Sequence, residues 1–112
     1  MAMKRAMLAA LLALSTSHAH AQAPSGQMTA RVSAYCDPGT MRTGIWTYEG
    51  AVASDPAVVP LYSSLTIDGL PGTYTVLDTG GAVWGNRIDV FMTSCSRALE
   101  WGVREMEVRW WP

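Results

Sequence analysis

Residues 76–92 read V-L-D-T-G-G-A-V-W-G-N-R-I-D-V-F-M, and the fold turns on how they are parsed. Two apolar runs, Val76-Leu77 and Ile88 to Met92, each carry one aspartate and flank a segment holding Gly80, Gly81, Gly85 and Asn86. β-branched and aromatic residues broken by glycine and asparagine predict strand, loop, strand. Asp78 closes the first strand and Asp89 lies inside the second. A carboxylate in an apolar strand loses solvation unless it is paired, hydrogen-bonded or protonated. Alternation turns Asp89 to one face while Ile88 and Val90 take the other. A chemically placed carboxyl group is the feature to explain.

Outward from this stretch, the chain reads as short strands and turns. Residues 28–35 alternate, with Ala30, Val32 and Ala34 on one face, and Y-C-D-P-G-T at 35–40 is turn chemistry. An irregular loop follows over 41–49, carrying Trp46 and Tyr48. Strands are predicted over 51–54, 64–67, 73–78, 87–92 and 103–111, the last with Met106, Val108 and Trp110 on one face. Ser94 or Ser96 can cap a short helix ending near Trp101, with Gly102 at its C-terminal side. Short strands, glycine turns and one small helix indicate an all-β barrel.

The N-terminus has the layout of an export signal: Lys4 and Arg5, an apolar core at 6–14 too short to span a bilayer, and Ala19-His20-Ala21 as cleavage site. The predicted organisation is a signal peptide at 1–21, a short flexible leader at 22–27 and one domain at 28–112. Removing 21 of the 112 residues leaves 91, and takes away His18, His20 and Lys4, the only histidines and the only lysine. Histidine-based triads, histidine metal sites and Schiff-base lysines are thereby excluded from the exported form, and carboxylates are left as acid–base candidates. Six arginines against nine acids give that form a net charge of −3, which argues against a nucleic-acid or anionic-membrane partner. Cys36 and Cys95, the two cysteines, are expected to be bonded in an oxidising compartment. Closing a loop of roughly 60 residues would stabilise a small domain by on the order of 4 kcal/mol.

The chain resembles the 3D domain, a family named for three aspartates, in two blocks: A-S-D-P-A-V-V-P-L-Y at 53–62 and D-T-G-G-A-V-W-G-N-R-I-D-V-F at 78–91. The resemblance extends over about residues 29–110 and places the three aspartates at Asp55, Asp78 and Asp89. It implies a six-stranded double-psi β-barrel with one short helix. Three positions depart from the family pattern: Cys36 replaces a threonine, Tyr62 a glycine and Trp84 a lysine. Because Asp55 precedes Pro56, spacing alone reads it as a turn former, and the resemblance is what brings it into the site.

By that resemblance the expected activity is that of an exported lytic transglycosylase acting on peptidoglycan in the periplasm or outside the cell. It would cleave the bond between N-acetylmuramic acid and N-acetylglucosamine to give a 1,6-anhydro product, with Asp89 as general acid and then base, and Asp78 and Asp55 assisting. Thr79, Gly80, Gly81, Trp84, Arg87, Trp46 and Tyr48 are the expected glycan contacts. For Trp46 and Tyr48, covering the barrel end is an equal alternative. No metal and no cofactor is expected, and no membrane partner after signal cleavage. The alternative activity is non-catalytic glycan binding or wall loosening of the expansin-like kind.

Overall fold

The computed structural model describes residues 23–112; the predicted signal segment lies outside them. Six strands and one helix follow one another as β1 (Gly26–Tyr35), β2 (Ala51–Ser54), β3 (Ser64–Ile67), β4 (Tyr74–Asp78), β5 (Arg87–Phe91), α1 (Cys95–Trp101) and β6 (Val103–Trp111). The strands close into a barrel in the ring order β1-β5-β2-β4-β3-β6. β1 with β5 and β2 with β4 are parallel, and the other neighbours are antiparallel. This is the six-stranded double-psi barrel with one short helix that the resemblance implied. β1 starts two residues earlier than its apolar alternation suggested, because Gly26 and Gln27 already pair with Trp110 and Arg109 of β6. A Cβ on Gly26 would come within 2.1 Å of the Trp110 ring, so glycine is required there and leaves no apolar signal to read.

Period-two alternation decides what enters the barrel. Ala30 and Val32, Val52, Leu65 and Ile67, Val76, Ile88 and Val90, and Val108 form one buried cluster, joined by Val59, Met92, Ala98 and Trp101. Full burial of each larger member contributes about 1.5–3 kcal/mol. β2 is buried on both faces. Its outer side is covered by the loop 36–50, where Met41 packs with Ala51 and Leu77. That loop is stitched down at both ends: Thr43 Oγ1 donates to the Leu77 carbonyl at 2.8 Å, and Glu49 accepts from Thr93 N at 2.7 Å and Thr93 Oγ1 at 2.9 Å.

Ser94 is the residue that caps α1, accepting from Arg97 N at 3.2 Å, and Gly102 ends the helix with φ 64°. The helix docks through Trp101, whose Nε1 donates to the Val32 carbonyl at 2.9 Å. Cys36 and Cys95 are joined, tying the end of β1 to the start of α1 with Cα atoms 5.1 Å apart.

The turn before β3 carries the non-glycine residue with positive φ among those described. Ser63 N donates to the Pro60 carbonyl at 3.2 Å, which places Tyr62 third in a four-residue turn, and its φ is +71°. That position in a type II turn calls for glycine or asparagine, and a residue with a Cβ meets a cost of about 1–2 kcal/mol there. The departure at Tyr62 therefore leaves the turn intact but strained.

Candidate functional site

The site is a row of residues across four strands. In the β1–β5 register Ser33 lies opposite Asp89, and in the β2–β5 register Asp89 lies opposite Ala53. Between β2 and β4 the register slips: Val52 pairs with Val76, but Ala53 pairs with Asp78, so Leu77 is an extra residue on β4. Such an irregularity re-aims the strand that carries it. Here it sets Asp78 opposite Ala53 and completes the row Ser33, Asp89, Ala53, Asp78. The two aspartates are two strand spacings apart, about 10 Å between Cα atoms. Because Ile88 and Val90 point into the core, Asp89 points to the outside of the wall.

Ser33 Oγ donates to Asp89 Oδ1 at 3.0 Å. Asp78 Oδ1 accepts from Arg42 N at 2.8 Å and Thr79 N at 2.9 Å. In each aspartate the second oxygen, Oδ2, has no protein donor among the described residues. Half-burial pushes the Asp89 carboxyl above the ordinary carboxylate range; the Ser33 bond and the nearby Arg87 charge oppose that shift, and the Asp78 charge adds to it. Tyr35, two residues after Ser33 on the same face, packs edge-on against Phe91 with ring centroids 5.3 Å apart. Its hydroxyl is buried without a partner, and its pKa is pushed up to about 12 by burial first and then by Asp78 and Asp89. The Arg87 Nε is also buried without a partner.

Asp55 is used differently. Its Oδ1 accepts from Ala57 N at 3.0 Å and its Oδ2 from Gly85 N at 2.8 Å, so both oxygens are occupied. Those two backbone donors, Gly85 first, hold its carboxyl below the ordinary range. Gly85, at φ +69°, is the far end of the loop between β4 and β5. Asp55 thus fastens that loop to the end of β2. Asp89 responds to the charges of Arg87 and Asp78, and Asp55 is not among the groups that shift it.

The loop 79–86 closes on itself through a Gly80–Val83 bridge, with Val83 N donating to the Gly80 carbonyl at 3.0 Å. Asn86 ties it to β1, accepting from Arg31 N at 2.9 Å. Gly81 has open space where a Cβ would stand, whereas a Cβ on Gly80 would press on Val83 at 3.1 Å. Thr79 is partly buried beside Asp78, and Trp84, just after the Gly80–Val83 bridge, is 70% exposed. Trp46 and Tyr48 are exposed on the loop 36–50. The structure therefore places Asp89 with Arg87 on β5 and Asp78 two strands away, brings the loops 36–50 and 79–86 to Asp78 through Arg42 N and Thr79 N, and uses Asp55 to fasten the far end of the loop 79–86.

Ser33 and Tyr35 belong to this site and were missed by sequence reasoning. Their signal lies in S-A-Y at 33–35, where polar and aromatic residues occupy the face opposite Val32 and Ala34. Among the described residues, no group of three or more His, Cys, Asp or Glu side chains is placed to hold a metal ion. Two clefts, of about 240 and 310 Å³, open beside α1, and Arg97 and Leu70 line both.

The closed mixed barrel, with β1–β5 and β2–β4 parallel, defines the fold class as a double-psi barrel. Solved structures share the fold: the lytic transglycosylase MltA of E. coli aligns with a TM-score of 0.54 and 19% identity over 66% of this chain and 27% of MltA. The Streptomyces papain inhibitor aligns with a TM-score of 0.58 and 17% identity over 80% of this chain and 97% of the inhibitor. Within this class the chain belongs to the 3D domain family, whose model matches residues 50–111 and so includes all three aspartates. It is 37% identical over 102 residues to the cell wall-binding protein YocH of Bacillus subtilis (strain 168), covering 83% of this chain and 35% of YocH. It is 40% identical over 58 residues to the putative cell wall shaping protein YabE of the same organism, covering 52% of this chain and 14% of YabE. The chain thus spans about a third or less of the length of these relatives.

Proposed function

We propose that this chain acts on peptidoglycan in the cell envelope, cleaving glycan strands as a lytic transglycosylase. The observation that carries the reading is Asp89: a half-buried carboxyl group, raised above its ordinary range, on the outer wall of the barrel two strands from a second aspartate whose charge adds to the shift. A raised carboxyl keeps a proton available closer to neutral pH, as a general acid must. Asp89 would protonate the oxygen that links N-acetylmuramic acid to N-acetylglucosamine, and that bond breaks as an oxocarbenium-like centre forms at C1. The C6 hydroxyl of the same muramic acid then bonds to C1 and returns its proton to Asp89. The ring closes as a 1,6-anhydro product, no water is consumed, and Asp89 ends protonated as it began.

Asp78 Oδ2 would meet a sugar hydroxyl near this centre, with Arg87 balancing charge. Thr79, Gly80 and Gly81 let the strand approach the backbone, and Trp46, Tyr48 and Trp84 offer ring faces to sugars. Asp55 would contribute by holding the loop. The disulfide agrees with an exported protein, periplasmic or secreted.

A second reading, a wall-binding module without catalysis, is favoured by the name of YocH and by the place of the two clefts, which open beside α1 and not at Asp89. Mass spectrometry of the products from purified sacculi separates the two. Anhydro-terminated fragments from the wild type and none from Asp89→Asn are expected. Binding without products would leave the second reading, and reducing-end products would mean hydrolysis.

A further inference from the structure

The two oxygens of Asp89 have different surroundings. Oδ1 accepts from Ser33 Oγ at 3.0 Å, and Oδ2 has no protein donor among the described residues. A carboxylic acid carries its proton on one oxygen and keeps the other as the better acceptor. A hydroxyl that donates to Oδ1 therefore makes Oδ1 the carbonyl oxygen and leaves the proton to Oδ2.

Ser33 is held to this acceptor by the fold. It lies in the middle of the register that pairs β1 with β5, from Arg31 opposite Arg87 to Tyr35 opposite Phe91. Both ends of that register are pinned: Arg31 N donates to the Asn86 carbonyl at 2.9 Å, and Met92 N donates to the Tyr35 carbonyl at 2.8 Å. A slip of one residue would turn Ser33 toward the core and Val32 out of it, so the burial that closes the barrel also fixes the pair. On the other flank of β1, Ser33 lies opposite Val103 of β6, which has no polar side-chain atom to compete for the hydroxyl.

Few titratable or charged groups face Asp89. Arg31 and Tyr35 flank Ser33 on β1, and Arg87 lies two residues back on β5; β2 sets Ala53 opposite Asp89, and Asp78 lies beyond it on β4. Among the described residues, Ser33 is the side chain that donates to Asp89. Burial pushes the Asp89 carboxyl up, and the Ser33 bond is the strongest influence pulling it back, ahead of the Arg87 charge.

We propose that Ser33 is a positioning residue for the acid: its hydroxyl holds Asp89 Oδ1 as the accepting oxygen and keeps the transferable proton on Oδ2. The proposal rests on the glycan-cleaving reading above. In that reaction the Oδ2 proton passes to the glycosidic oxygen as the bond to C1 breaks, and the C6 hydroxyl returns its proton to Oδ2 as it bonds to C1. Between the two transfers Asp89 is a carboxylate, and the Ser33 bond, then charge-assisted, stabilises it.

The test follows anhydro-product release from purified sacculi against pH, and the Asp89 carboxyl by carbon NMR titration, in wild type, Ser33→Ala and Ser33→Thr. Ser33→Ala is expected to lower the maximal rate by about ten- to a hundredfold, the cost of a misplaced reacting group. Loss of a bond that favours the charged form should raise the Asp89 midpoint, so the falling limb of the rate profile should move to higher pH even as its maximum drops. A serine that served only the fold would lower the melting temperature and leave limb and midpoint in place. Ser33→Thr keeps the hydroxyl on a strand-favouring residue and should restore both rate and limb. An unchanged maximal rate or an unmoved Asp89 midpoint in Ser33→Ala, or a threonine variant no better than the alanine one, would overturn the positioning role while product release by the wild type leaves the glycan reading standing. A wild type that releases no anhydro products would overturn that reading, and the positioning role with it.

Discussion

On the wall of β5, the Asp89 carboxyl is half-buried, accepts one side-chain hydroxyl and is pushed up in pKa; in the turn after β2, the Asp55 carboxyl accepts two backbone N–H groups and is pushed down. Both aspartates belong to the same family signature, yet the surrounding backbone sets opposite tasks. Burial with few donors penalises the charged form, whereas backbone donors favour it. The first arrangement favours the protonated form, so ionising the group costs stability. The second spends a charge on holding a loop in place.

The contrast can be broken most severely through catalysis. If Asp89 is the acid, Asp89→Asn lowers the rate of anhydro-product release from sacculi by at least about a hundredfold. Asp55→Ala should keep the chemistry while weakening substrate capture, so its loss should fall on half-saturation more than on maximal rate. Equal loss of maximal rate in both variants would erase the distinction drawn here.

Stability offers the next largest effect, with opposite signs for the two residues. The folded-state pKa of Asp55 is depressed, so its contribution is present above the unfolded value and is lost as pH falls through the folded value. Asp55→Ala should therefore lower the melting temperature by a few degrees at pH 7, and the deficit should shrink as pH falls below the ordinary carboxylate range. The folded-state pKa of Asp89 is raised, so its ionisation costs stability above that value. Asp89→Asn should raise the melting temperature at pH 7, and the gain should vanish once acid protonates the wild-type group. Thermal melts of the three proteins across pH 3–7 check both signs.

A smaller effect is expected at Tyr35. Its buried hydroxyl has no protein partner, so Tyr35→Phe should leave stability unchanged or raise it by up to about 1 kcal/mol. The same variant should bind sacculi as the wild type does, since the buried hydroxyl is shielded from a bound glycan. A destabilised Tyr35→Phe would mean that the hydroxyl serves the fold.

The sequence made β4, β5 and the loop between them legible, because apolar alternation stops at D-T-G-G and resumes after G-N. It also made the helix legible, through Ser94 and Gly102, and the disulfide, through export and an even pair. The ring order was not, since alternation says which face is buried and not which strand lies alongside; the resemblance supplied it. Nor was the slip at Leu77, because Val76-Leu77 reads as an uninterrupted apolar run whichever residue is extra. That slip is what brings Asp78 into the row with Asp89. Asp55 shows the converse: its reading as a turn former from Asp-Pro spacing matches the bond it makes to Ala57 N, whereas its bond to Gly85 joins positions 30 apart and has no local signal.

The surroundings of Asp89 and Asp55 drive the two carboxyl groups apart in pKa, and carboxyl-carbon NMR titration of the folded protein measures that directly. Asp89 is predicted to titrate above the ordinary 3.8 and Asp55 below it, with Asp55→Ala leaving the Asp89 midpoint nearly unchanged. Coincident midpoints, or the reverse order, would contradict the division of roles between them.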